Sequence, residues 1–379
     1  MMREQVFANA RIVLEDEIVE GSLVLRDGLI ADFDTGPTRL GDDVEGDYLV
    51  PGFVELHTDH LEGHYAPRPG VRWNPIAAVQ AHDAQVAGAG ITTVFDALRV
   101  GMDEDARTST AEMQNLADAI ETAKREDRLR VDHLLHLRCE VSAPDVLDGL
   151  AGFLDVLPVR LVSLMDHSPG QRQFASLDSY RAFYQGKMGM SDAAYEAFAS
   201  KRIAQAEEFS ARHRREIVDL CHPRRIAVAS HDDATVAHVD EAASDGVSIA
   251  EFPTTVEAAA ASQAADIRVL MGAPNLVRGG SHSGNVSAAA LAEAGHLDIL
   301  SSDYVPFSLM IAVFSLPEIV PSIRLPEAVR LVTRAPAEAV GLTDRGAIRP
   351  GLRADIVRVR AGEGVPVVRS VWRHGQRVA

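Results

Sequence analysis

Residues 50–64 read VPGFVELHTDHLEGH. The stretch opens on the turn-prone pair Pro51-Gly52, runs through the short apolar segment Gly52–Leu56, and ends in His57-Thr58-Asp59. In an extended strand residues i and i+2 point to the same side, so His57 and Asp59 can both reach one cation. A short buried strand tipped with an imidazole and a carboxylate suits the mouth of a parallel barrel, where working side chains sit at the C-terminal ends of strands.

The same pattern recurs along the chain. Apolar runs at Ile91–Phe95, His133–Leu137, Leu161–Leu164, Ile226–Ala229, Val247–Glu251, Ile267–Met271 and Leu297–Leu300 alternate with helical stretches at Asn74–Gly88, Asp103–Arg128, Asp145–Leu157, Thr254–Ala265 and Ser287–Ala294. Strands alternating with helices predict βα units around a parallel sheet. With Gly52–Leu56 the runs number eight, as a closed barrel requires. The reading is a (β/α)8 TIM-like barrel over residues 52–344, with a polar helical insertion at about 168–225. Such a barrel needs roughly 250 residues, so a chain of 379 has room for a second element.

That element is predicted at the two ends. Val6–Ala8, Arg11–Leu14, Gly21–Leu25 and Leu29–Phe33 read as short strands parted by turns such as Asp27-Gly28, and Ala354–Val359 and Val367–Trp372 read likewise before His374-Gly375. Alternation with closely spaced turns indicates antiparallel sheet. Residues 1–51 and 345–379 are therefore expected to meet as one small β-sandwich domain.

The C-terminal tips of the barrel strands carry the chemistry. The first ends in His57-Thr58-Asp59, the third in Glu140, the fourth in Asp166-His167, the fifth in His231-Asp232-Asp233 and the last in Asp303. Imidazoles and carboxylates suit Zn²⁺, Mn²⁺ or Fe²⁺. Glu140 can bridge two cations through its two oxygens, and two cations about 3.5–4 Å apart make a water nucleophilic near neutral pH. Asp303 can ligate one of them and accept the proton. Each residue alone is weak evidence, since a single His-x-Asp or strand-end glutamate is more often a surface, capping or core-satisfied group; five such strand ends together point to a metal centre. Other candidates weigh less. His82 falls in a predicted helix, His133 and His136 precede Glu140 as packing or hydrogen-bonded residues, Asp96 ends the second strand, and Asp232 and Asp233 either orient His231 or open the next helix.

Composition excludes some classes. Hydrophobic residues make up 46% and charged residues 24%, within the range of globular proteins. A net charge of −18 disfavours nucleic acid and anionic membranes as partners. Cys139 and Cys221 sit in apolar surroundings and read as buried thiols, not a disulfide framework. The most apolar stretch, Leu309–Val320, is short and broken by Pro317-Glu318. With no signal-like leader, the expectation is a cytoplasmic enzyme, a homo-oligomer by analogy with other barrels of this kind.

VPGFVELHTDHLEGH resembles the first-strand signature of the amidohydrolase superfamily, and GAIRPGLRADIVRV resembles the returning strand of its small β-domain. More narrowly, HTDHLEGHYAPRPGVRW, HLLHLRCEVS, LVSLMDHSPGQRQF, ASHDDATVAHV, IAEFPTT, MGAPNLVRGGSHSGN and ILSSDYVP resemble the PhnM family of alpha-D-ribose 1-methylphosphonate 5-triphosphate diphosphatases of the carbon–phosphorus lyase pathway. The resemblance covers residues 50–306. It implies metal ligation, by two ions with zinc foremost, through His57, Asp59, Glu140, His167, His231 and Asp303, with Asp303 also catalytic. Two positions depart from the common superfamily pattern: Asp59 stands for the usual second histidine, and a glutamate for a carboxylated lysine. The strand count also puts His167 and His231 one strand earlier than the superfamily layout. Either a short strand goes unread, or the segment 267–275 is an extra one.

The resemblance also implies a phosphorylated small-molecule substrate. Its triphosphate needs forked basic partners; Arg68, Arg172, Lys187 and Arg278 are the candidates, with Ser281 and Asn285 as neutral donors and His64 and His282 as acids or phosphate contacts. Each has the bland alternative of an ordinary surface or structural residue. The rival readings are an amidohydrolase acting on a C–N bond (a cyclic amide hydrolase or deaminase) and a non-catalytic barrel.

Overall fold

A computed structural model of the chain describes residues 4–101, 108–155, 157–172, 180–181, 184–185, 189–281 and 284–379. Strands β6 (Phe53–Thr58), β7 (Ile91–Val100), β8 (Asp132–Glu140), β9 (Val159–Met165), β10 (Ala227–His231), β11 (Ile249–Glu251), β12 (Arg268–Gly272) and β13 (Ile299–Ser301) form one sheet in sequence order. Every neighbouring pair in it is parallel, and a bridge between Thr58 and Asp303 joins its first and last members at the mouth. The wall therefore consists of the eight strands expected from sequence. The segment 268–272 is not extra, so His167 and His231 do come after the fourth and fifth strands.

Alternation along the strands sorts side chains into two layers. Val54, Leu56, Phe95, Leu161, Ala229, Ile249, Leu270 and Ile299 fill the barrel, plugged from below by Ala335 and Ala337. Their neighbours of opposite parity, such as Val94, Leu98, Leu137, Val162 and Leu300, pack under the surrounding helices. The helices begin where side chains can take up free N–H groups. Asn74 accepts from Ala77 ahead of helix α2 (Pro75–Gly88), and Ser109 with Glu112 forms a capping box on helix α3 (Thr110–Arg125). The residues numbered 102–107, expected in that helix's first turns, lie outside the described residues. Within the insertion the helix Asp192–Cys221 is capped by Ser191. The apolar stretch at 309–320 is a helix, Ser308–Ile319, and no helix among the described residues is long and apolar enough to cross a membrane.

Both termini enter a second sheet. Its order is β16 (Gln376–Arg377), β15 (Val367–Arg373), β14 (Ile356–Arg360), β5 (Tyr48–Pro51), β1 (Glu4–Val13), β2 (Ile18–Arg26), β3 (Leu29–Thr35), with β4 (Asp42–Asp43) added to β1. The sheet is mixed, because β4 and β5 run parallel to β1. Its core is Phe7, Ile12, Leu23, Leu25, Ile30, Leu49, Ile356 and Trp372. The chain passes from β5 to β6 through Gly52, where an added Cβ would come within 2.2 Å of the Thr92 hydroxyl. At the seam, Asp132 at the start of β8 receives Arg353 (2.6 Å), Arg345 (2.9 Å) and Arg373 (3.2 Å), which join the C-terminal segment to the barrel.

Candidate active site

The strand ends surround a cavity of about 460 Å³ lined by His57, Asp59, His167, His231 and Asp303, together with Glu62, Arg99, Arg138, Asp232 and Arg278. Three of the loops leaving the wall carry a non-glycine residue at positive φ within two residues of the strand end: Asp232 (57°), Phe252 (55°) and Asp303 (53°). Such backbone is costly and collects at functional sites. Opposite Asp303 stands Gly272, whose added Cβ would sit 3.4 Å from the Asp303 carboxylate.

Glu251, the last residue of β11, organises the floor. It is fully buried, with one oxygen accepting from Ser163 (2.7 Å) and lying 3.0 Å from His231 Nδ1. Its other oxygen is 3.0 Å from His57 Nδ1 and 3.8 Å from His136 Nε2. The His57 contact is close without hydrogen-bond geometry, so His57 Nδ1 and Glu251 Oε1 both stay closed to solvent without a hydrogen-bond partner. A native interior rarely leaves such atoms unmet. Burial pushes the Glu251 carboxyl up, but His57 and His136 outweigh it and hold it well below the carboxylate range.

Glu140, at the end of β8, is the other buried acid. It accepts from Ser142 Oγ (2.9 Å) and His167 N (3.1 Å), and its second oxygen meets His167 Nδ1 at 2.7 Å and Arg99 at 3.8 Å. Here too burial raises the pKa and His167 with Arg99 lowers it further than burial lifts it. His167 stands between Glu140 and the cavity; its ring is 5.7 Å from that of His231, which stacks 5.6 Å from His57. Asp232 Oδ2 lies 3.5 Å from His231 and 3.8 Å from His167. The groups His57–His136–Glu251 and His167–His231–Asp232 each bring three ligand atoms within 4.8 Å. Beneath them Glu55, fully buried, has its pKa pushed up to about 8 by burial while accepting from His57 N (2.7 Å).

The six expected ligands thus gather at one mouth, Glu140 behind His167 and the other five on the cavity surface. The proposed substrate contacts divide. Arg278, Ser281 and Asn285 line the cavity. Arg68 is exposed and does not line it. Arg172 is buried elsewhere, in an ion pair with Asp233 and 2.8 Å from Glu241, so its guanidinium is committed to the wall of a separate cavity. Lys187 and His282 lie outside the described residues. Sequence reasoning missed Glu251, Arg99, Arg138 and Glu62. The strand-end rule applied to β11 finds Glu251, and parity finds the arginines: Arg99 shares the inward face with Phe95, and Arg138 lies between His136 and Glu140. Arg138 reaches Asp59 at 3.3 Å.

The cavity holds acids, imidazoles and guanidinium groups together, and the imidazole and carboxylate donors match a divalent cation in kind. The orphaned His57 and Glu251 atoms fit the same requirement.

Residues 77–379 match the Amidohydrolase family. The chain is 46% identical over 376 residues to alpha-D-ribose 1-methylphosphonate 5-triphosphate diphosphatase of Escherichia coli (strain K12), covering 98% of this chain and 100% of that one. In fold it is similar to 5-methylcytosine deaminase from Klebsiella pneumoniae (TM-score 0.64, 16% identity, 99% and 98% of the two chains). It is also similar to N-acetyl-D-glucosamine-6-phosphate deacetylase from Mycobacterium smegmatis (TM-score 0.62, 16% identity, 99% of each chain). With a matching family over most of its length and a full-length relative at this identity, the chain belongs to the amidohydrolase family, in the branch that contains the Escherichia coli diphosphatase.

Proposed function

We propose that this enzyme hydrolyses alpha-D-ribose 1-methylphosphonate 5-triphosphate to the 5-phosphate and pyrophosphate. The observation that carries the reading is one cavity lined by Arg99, Arg138 and Arg278 beside the acid and imidazole cluster, in a chain 46% identical to a diphosphatase of that name. A triphosphate brings roughly four negative charges, and in a protein of net charge −18 it needs a locally basic wall. Arg278, Ser281 and Asn285 would hold the polyphosphate. Arg99 and Arg138 would draw charge from the equatorial oxygens of the reacting phosphoryl group.

His57, Asp59, Glu140, His167, His231 and Asp303 would hold two divalent ions, zinc foremost, with Glu251 and Asp232 orienting the imidazoles. The ions would supply the Lewis acidity that makes a water nucleophilic near neutral pH. Water adds to the α-phosphorus, the bond from that phosphorus to the bridging oxygen breaks, and pyrophosphate leaves with the bond's electron pair. Asp303 takes the proton from the water. A cytoplasmic homo-oligomer, with residues 1–51 and 345–379 as one domain and 52–344 as the other, completes the proposal.

Phosphorus NMR of the purified protein with added divalent metal and the ribosyl triphosphate tests it. Pyrophosphate is the expected product. Orthophosphate release, or turnover of a cyclic amide in its place, overturns the substrate.

A further inference from the structure

One imidazole cluster takes no part in the chemistry above. Helix α1 (His60–Tyr65) carries His60 and His64 four residues apart, hence on one face. Both meet His82 of α2: ring centres are 4.8 Å apart for His60–His64, 5.8 Å for His60–His82 and 6.1 Å for His64–His82. One ring nitrogen from each lies within 4.8 Å of one from the others. None of the three lines the mouth cavity. Asp96, behind His82, shares its strand face with Val94 and Leu98, which pack in the helix layer. The cluster is thus on the outside of the barrel wall.

The hydrogen bonds fix how these rings are presented. His82 is fully buried, and its Nε2–H donates to Asp96 Oδ1 at 2.9 Å, leaving the Nδ1 lone pair free. That Nδ1 is closed to solvent and without a hydrogen-bond partner. His64 Nε2–H donates to the Gln85 side-chain oxygen at 3.2 Å, which leaves its Nδ1 as the lone-pair atom too. The Nδ1 of His60 is likewise closed off and unmet. A carboxylate behind a histidine whose other nitrogen is unmet is the arrangement by which proteins orient a metal-binding imidazole. Two histidines four apart on a helix are a recurrent zinc spacing.

We propose that His60, His64 and His82 form a second cation site, taking Zn²⁺ through three neutral imidazoles. Three nitrogen donors of intermediate softness select zinc over magnesium or calcium, which require oxygen. Zinc bonds of about 2.0–2.1 Å put ligand nitrogens roughly 3.3 Å apart. His60 and His64, each only partly buried, close that distance by turning toward the fixed His82.

The test is a zinc count. Chelator-stripped protein and its His64→Gln variant are reloaded and titrated with zinc against a chromophoric competitor. Wild type is expected to bind one zinc per chain more than the variant, which folds normally because His64 is only partly buried. In wild-type crystals an anomalous zinc peak is expected among the three rings. A His231→Asn variant, altered at the mouth, keeps that peak. Equal zinc in wild type and His64→Gln, or an anomalous map empty between the three rings, overturns the site.

Discussion

His133 and His136 lie three residues apart on β8, both fully buried, and their proton affinities move in opposite directions. Burial lowers the pKa of each. His136 looks into the barrel, where the carboxylate of Glu251 is shared with two other imidazoles and where His57 and Arg138 add to the effect of burial; its pKa falls to about 3. His133 looks out toward the helices and stands between Asp96 (2.7 Å) and Asp83 (3.4 Å); its pKa rises to about 9. One strand therefore has two faces of opposite electrostatic design. The outer face closes its charges on one another. The inner face gathers imidazoles in excess of the carboxylate that holds them, and keeps His136 neutral. Neutral imidazoles with lone pairs are ligands and positioning groups, so His136 is suited to position the groups around it, whereas His133 closes charge.

Removing an inner-face acid is the strongest way to break this contrast. Glu140→Ala takes away the carboxylate that His167 and Arg99 hold in its charged form. Metal bound at the mouth should be lost, and turnover should fall by more than the roughly 10–100-fold that outer partners of a ligand are worth. The circular dichroism spectrum should be unchanged. Metal analysis decides the matter: near-normal content in the variant would take Glu140 out of the centre.

Glu251→Gln sharpens the contrast with a smaller change. The amide keeps the volume but removes the charge that faces His57, His136 and His231. If Glu251 orients ligands and does not itself bind, metal affinity should fall about 10–100-fold. Competitive zinc titration reads this directly, and an affinity equal to that of wild type would reduce Glu251 to a wall residue.

The same two faces explain what is legible in the sequence. Strand ends are legible because alternation is local: His57, Glu140, His167, His231 and Asp303 come directly after apolar runs, and the wall holds the eight strands expected. Parity with Glu140 also separates His136 from His133, a distinction that a common label of packing residues hides. Glu251 ends an expected run, but one acid at a strand end carries little weight alone. Arg172 is illegible for a different reason. Its place in LVSLMDHSPGQRQF makes it a candidate phosphate contact, whereas its direction is set by Asp233 and Glu241, 61 and 69 residues further on. Arg68 sits in a conspicuous motif yet on an exposed turn, where motif and cavity part company.

His133→Gln probes the outer face, where the effect on turnover should be smallest. With a folded pKa near 9 against 6.5 for an unperturbed histidine, the native state binds a proton that the unfolded chain releases across that interval. The stabilisation from His133 is thus complete below pH 6.5 and fades as pH rises through 9. The glutamine variant lacks it at every pH. Wild type should exceed His133→Gln by on the order of 1–2 kcal/mol near pH 6, with the gap closing by about pH 9.5. Urea unfolding at a series of pH values measures that gap. At neutral pH the variant should turn over substrate within about twofold of wild type per folded molecule, because changes at sites with no shared partners act independently. A gap constant with pH would mean that His133 stabilises by packing alone and that the outer face is not closed by charge.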